Sequence, residues 1–457
     1  MYVLMAVIFV VGYLCIALEH PLKLDKAASA LLTAGMTWAV LVLGADQILP
    51  TLTLGSNDPA DSSGIVVEAL RHHLGEIAEI LFFLLGAMTI VELIDAHGGF
   101  KVITDRITTR KRVSLLWIIG VLTFFLSAVL DNLTTTIVMV SLLRKLVRGR
   151  PERWLYVGVV VISANAGGAW SPIGDVTTTM LWIGGQITAQ QVVFELFLPS
   201  LVCLLVPLAI LSVRLKGDAP RPRLRAHVAD GGHATTDRER NIVLAMGIGA
   251  LLFVPVFKTV TGLPPYMGIL FGLGVLWVAT EIMHRNKKAE LKHPLSVIGV
   301  LHRVDTPSIL FFLGILLAVS SLATAGHLGQ IAMGLRDGLG NIFAINYAVG
   351  LLSAVVDNVP LVAGAMKMYP LVSDGMLASA AASESEWLSQ FVTDGRFWQL
   401  LAFCAGTGGS SLIIGSAAGV AAMGMEKIGF FWYIKHVSLL AFLGYTAGAA
   451  VYFLMYM

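Results

Sequence analysis

The stretch SAVLDNLTTT, Ser127–Thr136, sets an aspartate, an asparagine and three threonines inside a long apolar run. That run, 113–148, is too long for a single span, which takes about 20 apolar residues. Its flanks decide how it is threaded. Lys101, Arg106, Arg110, Lys111 and Arg112 precede it, and Arg144, Lys145, Arg148, Arg150 and Arg153 close it. Lys and Arg collect in cytoplasmic loops, so both flanks are expected on that side. The apolar stretch must then enter and leave by one face. This makes 113–148 a re-entrant helical hairpin with Asp131-Asn132 near its tip. Irregular backbone at membrane depth is tolerated only inside protein or against a wet cavity.

The rest of the chain fits such a setting. Of its 457 residues, 56% are hydrophobic and 13% charged, against about 25% charged in soluble domains. An all-α polytopic membrane protein is expected, with the lipid bilayer around it. The net charge of +2 is dispersed among loops, so no nucleic-acid partner is expected. Cys15, Cys203 and Cys404 lie far apart in apolar runs and read as packing residues. The run from Met1 to Ala17 lacks a basic leader region and an A-x-A site, so it reads as a retained helix.

Clear spans are expected at 2–17, 27–48, 77–95, 190–213, 241–258, 265–283, 306–324 and 430–456. The stretches 153–186, 341–373 and 397–427 are longer and interrupted by polar or glycine-rich residues. Alternation brings the basic, Pro- and Gly-containing linker 214–240 to the cytoplasm, and the loop HRNKKAELKH (284–293) as well. The loop 374–396 carries Asp374, Glu384, Glu386 and Asp394 against Arg396 and is expected outside. The stretch 341–373 then becomes a second hairpin entering from the opposite face, and both termini come out external, on the periplasmic side of a bacterial membrane.

Two halves of the chain align. ILFFL occurs at Ile80–Leu84 and at Ile309–Leu313, and SAV-x-DN at 127 and again at 353. Gly167-Gly168 and Gly174 in NAGGAWSPIGDV (165–176) match Gly408-Gly409 and Gly415 in TGGSSLIIGSAA (407–418). The offsets are 229, 226 and 241, in one order. The expected architecture is two inverted repeats, 1–213 and 241–457, of about 10 spans plus 2 hairpins, with broken helices at 153–186 and 397–427. Such repeats are a transporter architecture with the substrate near the midplane.

Four interruptions should converge there: Asp131-Asn132, Asp357-Asn358 and the glycine-rich breaks 165–175 and 406–416. A carboxylate inside a membrane marks an ion path by default. Asp131, Asp357 and Asp175 together disfavour an anionic substrate and favour a hard cation. Sodium takes oxygen ligands, which Asn132, Thr134, Thr135, Asn165, Thr177, Thr178, Ser353, Asn358, Ser410 and Ser411 could add. Any one of these hydroxyls could instead back-bond to its own helix. No Lys or Arg lies within either break, so a salt-bridge role for Asp131 and Asp357 is disfavoured. Asp175 stands apart, because its repeat mate is Ser416. Desolvation and like charge favour protonation of clustered carboxylates, so one site could hold cation or protons in turn. Glu76 and Glu79 share a helix face with His72 one turn away, and Glu92 lies near the other end of that helix. They read as an interfacial cluster or as proton-coupling and pH-sensing groups.

At these residues the chain resembles the NhaD-type sodium/proton antiporters of the ion transporter superfamily. The resemblance rests on HHLGEIAEILFFLLGAMTIVELIDAH (72–97), SAVLDNLTTT, SANAGGAWSPIGDVTTTM (163–180), SAVVDNVP (353–360) and GTGGSSLIIGSAAG (406–419). It implies an inner-membrane antiporter expelling Na+ or Li+ against H+, active at alkaline pH, with no cofactor beyond the transported ions. It implies roles for Asp131, Asn132, Asn165, Asp175, Thr177, Thr178, Ser353, Asp357 and Asn358, less directly for Ser410 and Ser411, and for Glu76 or Glu79 as a helix acid. It also implies a homodimer and an elevator-like movement. The superfamily includes carriers of dicarboxylates, citrate and arsenite, the alternative function. In the dicarboxylate branch the hairpin tips are neutral Ser-Asn-Thr, where this chain has Asp-Asn. An enzyme is not expected: HExxH and GxSxG are both absent, and Ser171 lacks the preceding glycine.

Overall fold

A computed structural model describes residues 1–48, 62–104, 107, 109, 111–218 and 235–456. Among the described residues there is no β-strand. The main helices are α1 (Tyr2–Ala17), α2 (Lys26–Leu43), α3 (Ser62–Ala96), α4 (Arg112–Leu130), α5 (Asn132–Leu146), α6 (Arg150–Ala169), α7 (Val176–Ile183) and α8 (Ala189–Arg214). They continue with α9 (Asp237–Thr261), α10 (Pro265–Met283), α11 (Thr306–Thr324), α12 (His327–Leu339), α13 (Ile342–Leu352), α14 (Asn358–Met368), α15 (Arg396–Gly408), α16 (Ala417–Glu426) and α17 (Phe430–Met455). Eight of the described helices are long and apolar enough to cross a membrane. The chain is a polytopic membrane protein.

Two expected boundaries move. The helix expected at 77–95 begins at Ser62 and runs 35 residues. No proline interrupts the backbone ladder before residue 77, and a polar turn can continue a helix beyond the apolar layer. The helix expected at 27–48 ends at Leu43, where the Gly44 N–H closes on the Val40 carbonyl before a short turn, Ala45–Ile48. Helix α12 had no sequence expectation; its glycines and its brevity hid it. Of the linker 214–240, residues 219–234 lie outside the described residues, as do Arg106 and Arg110.

Burial sorts the helices. In α6 every residue from Tyr156 to Ala169 is buried, and in α15 every residue from Phe397 to Gly408. A helix that is apolar all round belongs in the interior. These two helices therefore form the centre, packed on each other and on α4, α5 and α13. By contrast, α9 and α10 pack together but expose Phe253, Val256, Phe271 and Val278, the outer face expected of helices in lipid.

Contacts recur in matched pairs: α1 on α2 and α9 on α10; α2 on α11 and α3 on α10; α4 on α6 and α13 on α15; α5 on α16 and α7 on α14. The close approaches match too. A Cβ at Gly167 would fall 2.2 Å from the Phe124 carbonyl oxygen, and one at Gly408 2.0 Å from that of Gly350. Ser127 Oγ donates to the Ala164 carbonyl (2.7 Å), and Ser353 Oγ to that of Ala405 (2.8 Å).

The ends of α16 and α7 are each held by the other half of the chain. Glu426, at the end of α16, is 1% exposed and accepts from Arg144 Nε (2.7 Å) and Arg153 Nε (2.8 Å), while Arg144 also reaches the Met425 carbonyl. Beyond α7, the Thr188 N–H and Oγ1 donate to Asp394 (2.6 and 2.9 Å), and the Asp394 N–H donates to the Gln186 carbonyl (2.8 Å).

Candidate cation site

The four expected interruptions are breaks between helices, and each aspartate or its mate stands at a helix N-terminus. Asp131 separates α4 from α5 with φ +82°, a conformation a non-glycine residue seldom adopts. It is held there as the N-cap of α5: its carboxylate accepts from the Thr134 N–H and Thr134 Oγ1, both at 2.8 Å. Asp357 caps α14 more loosely, accepting from the Val359 N–H at 3.3 Å. Ser416 caps α16 through the Gly419 N–H (3.2 Å). Asp175 holds the matching position before α7 yet makes no capping bond. Its Oδ2 instead accepts from Thr177 Oγ1 (2.9 Å) and from Asn358 Nδ2 (3.2 Å).

Asn165 ties the other side together. Its amide nitrogen donates to Ser410 Oγ (2.8 Å) and Ser416 Oγ (2.9 Å), and its oxygen accepts from Asn132 (3.1 Å). Asn165, Asn132, Asp175 and Asn358 are all buried. Gly406 leaves room for Asp175: a Cβ there would stand 3.2 Å from Oδ2. Thus residues from both halves meet at the breaks, in three hydrogen-bonded clusters: Asp131 with Thr134, Asn165 with Asn132, Ser410 and Ser416, and Asp175 with Thr177 and Asn358.

The expected ligand residues divide into three groups. Asp131, Asn132, Thr134, Asn165, Asp175, Thr177, Asn358 and Ser410 belong to these clusters, and Asp357 lines the adjoining cavity. Ser353 Oγ donates to the Ala405 carbonyl, which leaves its lone pairs as acceptors. The hydroxyls of Thr135, Thr178 and Ser411 are buried and make no hydrogen bond to the protein.

A cavity of about 50 Å³ is lined by Asp131, Asn132, Asp357 and Thr179, with Phe83, Ala87 and Met88 of α3 opposite. One water needs roughly 10–15 Å³ of such space, so the cavity has room for a small ion together with a few waters. Wider cavities lie along α3 on either side, one at Glu76 near the middle of the helix and one at Glu92 near its C-terminal end, about 24 Å apart. One, of about 410 Å³, has Glu19, Asp25, Glu92, Asp95 and Asp305 in its wall, with Lys26 and Arg303. It shares Lys26, Met88, Leu133, Ser308 and Ala417 with the central cavity. The other, of about 580 Å³, is walled by Glu76, Glu79, His72 and Lys367 and shares no lining residue with the centre. The polar centre thus opens towards the Glu92 end.

Three basic residues were missed by reading the breaks alone. Lys26 lines the central cavity, its ammonium 4.6 Å above the Phe311 ring. Lys367 of α14 bonds Glu76 (2.6 Å), which also takes His73 (3.1 Å) and stands 3.5 Å from His72. Lys258 donates to the Trp182 carbonyl (3.0 Å). The half-buried partner of Glu76 is therefore His73 rather than the more exposed His72. Glu92 faces Arg303 at 3.9 Å. Helix packing brings these residues in from remote sequence.

Comparison with known proteins shows what this chain is similar to. A family model described as "Citrate transporter" matches residues 13–393. "Sodium/proton antiporter 1" of Arabidopsis thaliana is 52% identical over 450 residues, covering 98% of this chain and 72% of that protein. "Sodium/proton antiporter 2" of the same plant is 48% identical, covering 98% of each. The "Na(+)/H(+) antiporter NhaD" of Vibrio cholerae is 31% identical, covering 98% of this chain and 90% of that protein.

Proposed function

Because the chain belongs to the NhaD-type sodium/proton antiporters within the wider citrate-transporter family, we propose that it exchanges Na+ or Li+ for H+ by secondary active antiport. It is not an enzyme in this reading and needs no cofactor beyond the ions it moves. The observation that carries the proposal is Asp175, buried and uncapped, joined to Asn358 of the other half beside a cavity lined by Asp131 and Asp357. No Lys or Arg is hydrogen-bonded to these carboxylates among the described residues. Such a cluster is costly when empty and charged, so it holds either a cation or protons. Asp131, Asp175 and Asp357, with the oxygens of Asn132, Asn165, Asn358, Thr134, Thr177 and Ser410, are the proposed ligands, and Thr135, Thr178 and Ser411 lie in reserve. Glu76, Glu79, His72 and Glu92 are the proposed proton-coupling groups of the two outer cavities.

The matched helix contacts support two inverted repeats, with α4–α5 and α13–α14 as re-entrant hairpins and α6–α7 and α15–α16 as broken helices. In this reading the centre opens to the cytoplasm, through an acid-lined funnel that concentrates cations. An elevator-like shift of the hairpin-bearing helices against a dimeric scaffold would expose it to the other side. The proposed setting is a bacterial inner membrane with both termini periplasmic; the plant relatives extend the family beyond bacteria.

The competing reading is an anion carrier, which the family model's description favours. Carboxylates at both tips oppose it, since they would repel citrate where it would have to sit. Proton release from proteoliposomes decides between the two. Na+ or Li+ is expected to trigger it, and Asp131→Asn with Asp357→Asn to abolish it. Release with citrate or succinate but not with Na+ would overturn the proposal.

A further inference from the structure

Away from the aspartates, three helix ends meet over a buried pair of imidazoles. His97 follows α3, His284 follows α10, and Glu239 lies in the first turn of α9. Both histidines are 1% exposed. Their Nε2 atoms are 2.9 Å apart, with the ring planes inclined at 21°.

The hydrogen bonds fix the tautomers. His97 Nδ1 lies 2.7 Å from the Leu93 carbonyl, an acceptor only, so Nδ1 carries the hydrogen. His97 Nε2 is then a lone pair, and the hydrogen between the rings belongs to His284 Nε2. His284 Nδ1 is left as a lone pair, buried and without a hydrogen bond. It faces Glu239 Oε1 at 3.6 Å, so two acceptors confront each other.

We propose that His284 Nδ1 and Glu239 Oε1 form a proton-binding site, distinct from the aspartate network, whose filling draws the first turn of α9 towards the ends of α3 and α10. A proton on Nδ1 turns a lone-pair contact into a charge-assisted hydrogen bond, which needs about 2.8 Å. The distance must therefore close by roughly 0.8 Å. Glu239 is already fixed on its other side, accepting from the Thr236 N–H (2.7 Å) in the capping box of α9. The pull thus passes to the point where the linker enters the second half. The charged surroundings set the sensitivity. Lys287 lies 3.0 Å from Glu239 and opposes the proton, Glu281 favours it, and the pair Arg240–Asp237 and Lys101 stand beside the joint. Burial first, then Lys287 and His97, hold His284 down to about 4, so the site is empty at neutral pH and fills on acidification. Since α3 walls all three cavities, acidity at this end reaches the helix that borders the aspartates.

Solid-state NMR of the full chain in lipid, labelled with [15N]histidine, tests the proposal. His284→Gln identifies the signal. At pH 8 the expected state of His284 is Nε2 protonated and Nδ1 bare, with Nδ1 gaining a proton on acidification. Glu239→Gln should lower the midpoint by about one pH unit or more, and Lys287→Met should raise it. Nδ1 protonated at pH 8, or a midpoint that neither variant moves, would overturn the proposal. The measurement reads the proton directly, so its outcome is independent of whether the chain exchanges sodium.

Discussion

Asp175 and Asn358 come from opposite halves of the sequence and share a hydrogen bond of 3.2 Å. The amide aims the carboxylate Oδ2, whose other partner is Thr177. Hydrogen bonds to charged groups contribute about 1.5–3 kcal/mol. Asn358→Ala is therefore expected to raise the apparent KM for Na+ by about tenfold or more, leaving the helices intact. Asp175→Asn should abolish Na+-driven proton flux. Flux assays in proteoliposomes check both, and an unchanged KM in Asn358→Ala would remove the positioning role.

Gly406 and Gly408 are two residues apart on α15, yet alanine there should have different effects. At Gly406 the new Cβ meets Asp175 Oδ2 at 3.2 Å, a contact that the carboxylate can relieve by a few tenths of an ångström. Gly406→Ala is expected to fold and to bind Na+ more weakly. At Gly408 the Cβ would fall 2.0 Å from the Gly350 backbone oxygen. That overlap forces α13 away from α15, so Gly408→Ala should cost about 1–3 kcal/mol or more. Thermal unfolding of the solubilised protein, set beside the flux KM, separates the two.

Glu426 is buried between Arg144 and Arg153. Breaking a buried pair from one side costs about 3–5 kcal/mol, and the lower end applies because Arg144 reaches solvent. Glu426→Gln should lower the unfolding temperature far more than Glu76→Gln does, since the Glu76–Lys367 pair is substantially exposed. Equal shifts in the two variants would count against this ordering.

The histidine joint gives a pH dependence with a definite sign. His284 lies at about 4 in the folded chain against an ordinary 6.5, and His97 is lowered too, chiefly by burial. Between those values the unfolded chain binds more protons than the folded one, so stability must fall as pH falls. The loss begins below 6.5 and is complete near 4 for His284. Unfolding temperatures recorded across that window should decline in the wild type and decline less in His284→Gln.

Local chemistry made the breaks readable. A carboxylate at Asp131 between basic flanks, and Gly-rich runs at 165–175 and 406–416, are signals carried by neighbouring residues. The helix pairs around Asp131 and Asp357 begin and end within a few residues of the positions these signals give. What was hidden depends on distant packing. Lys26 reaches the central cavity because α2 packs along α11, and no feature near Lys26 says so. His97 and His284 each look like an ordinary polar residue past a helix end, and only the meeting of α3, α9 and α10 makes them a pair. The early start of α3 was obscured by charges that mark the edge of an apolar layer without ending a helix.

The closing contacts of the broken helices also bear on biosynthesis. Arg144 and Arg153 leave the ribosome long before Glu426, and Thr188 before Asp394. A nascent chain stopped short of residue 426 would carry two unneutralised guanidinium groups where α5 gives way to α6. The halves are therefore unlike beads added one after another. The first stays unfinished until the second arrives, so quality control that recognises exposed charge would have a late, single checkpoint for the whole molecule.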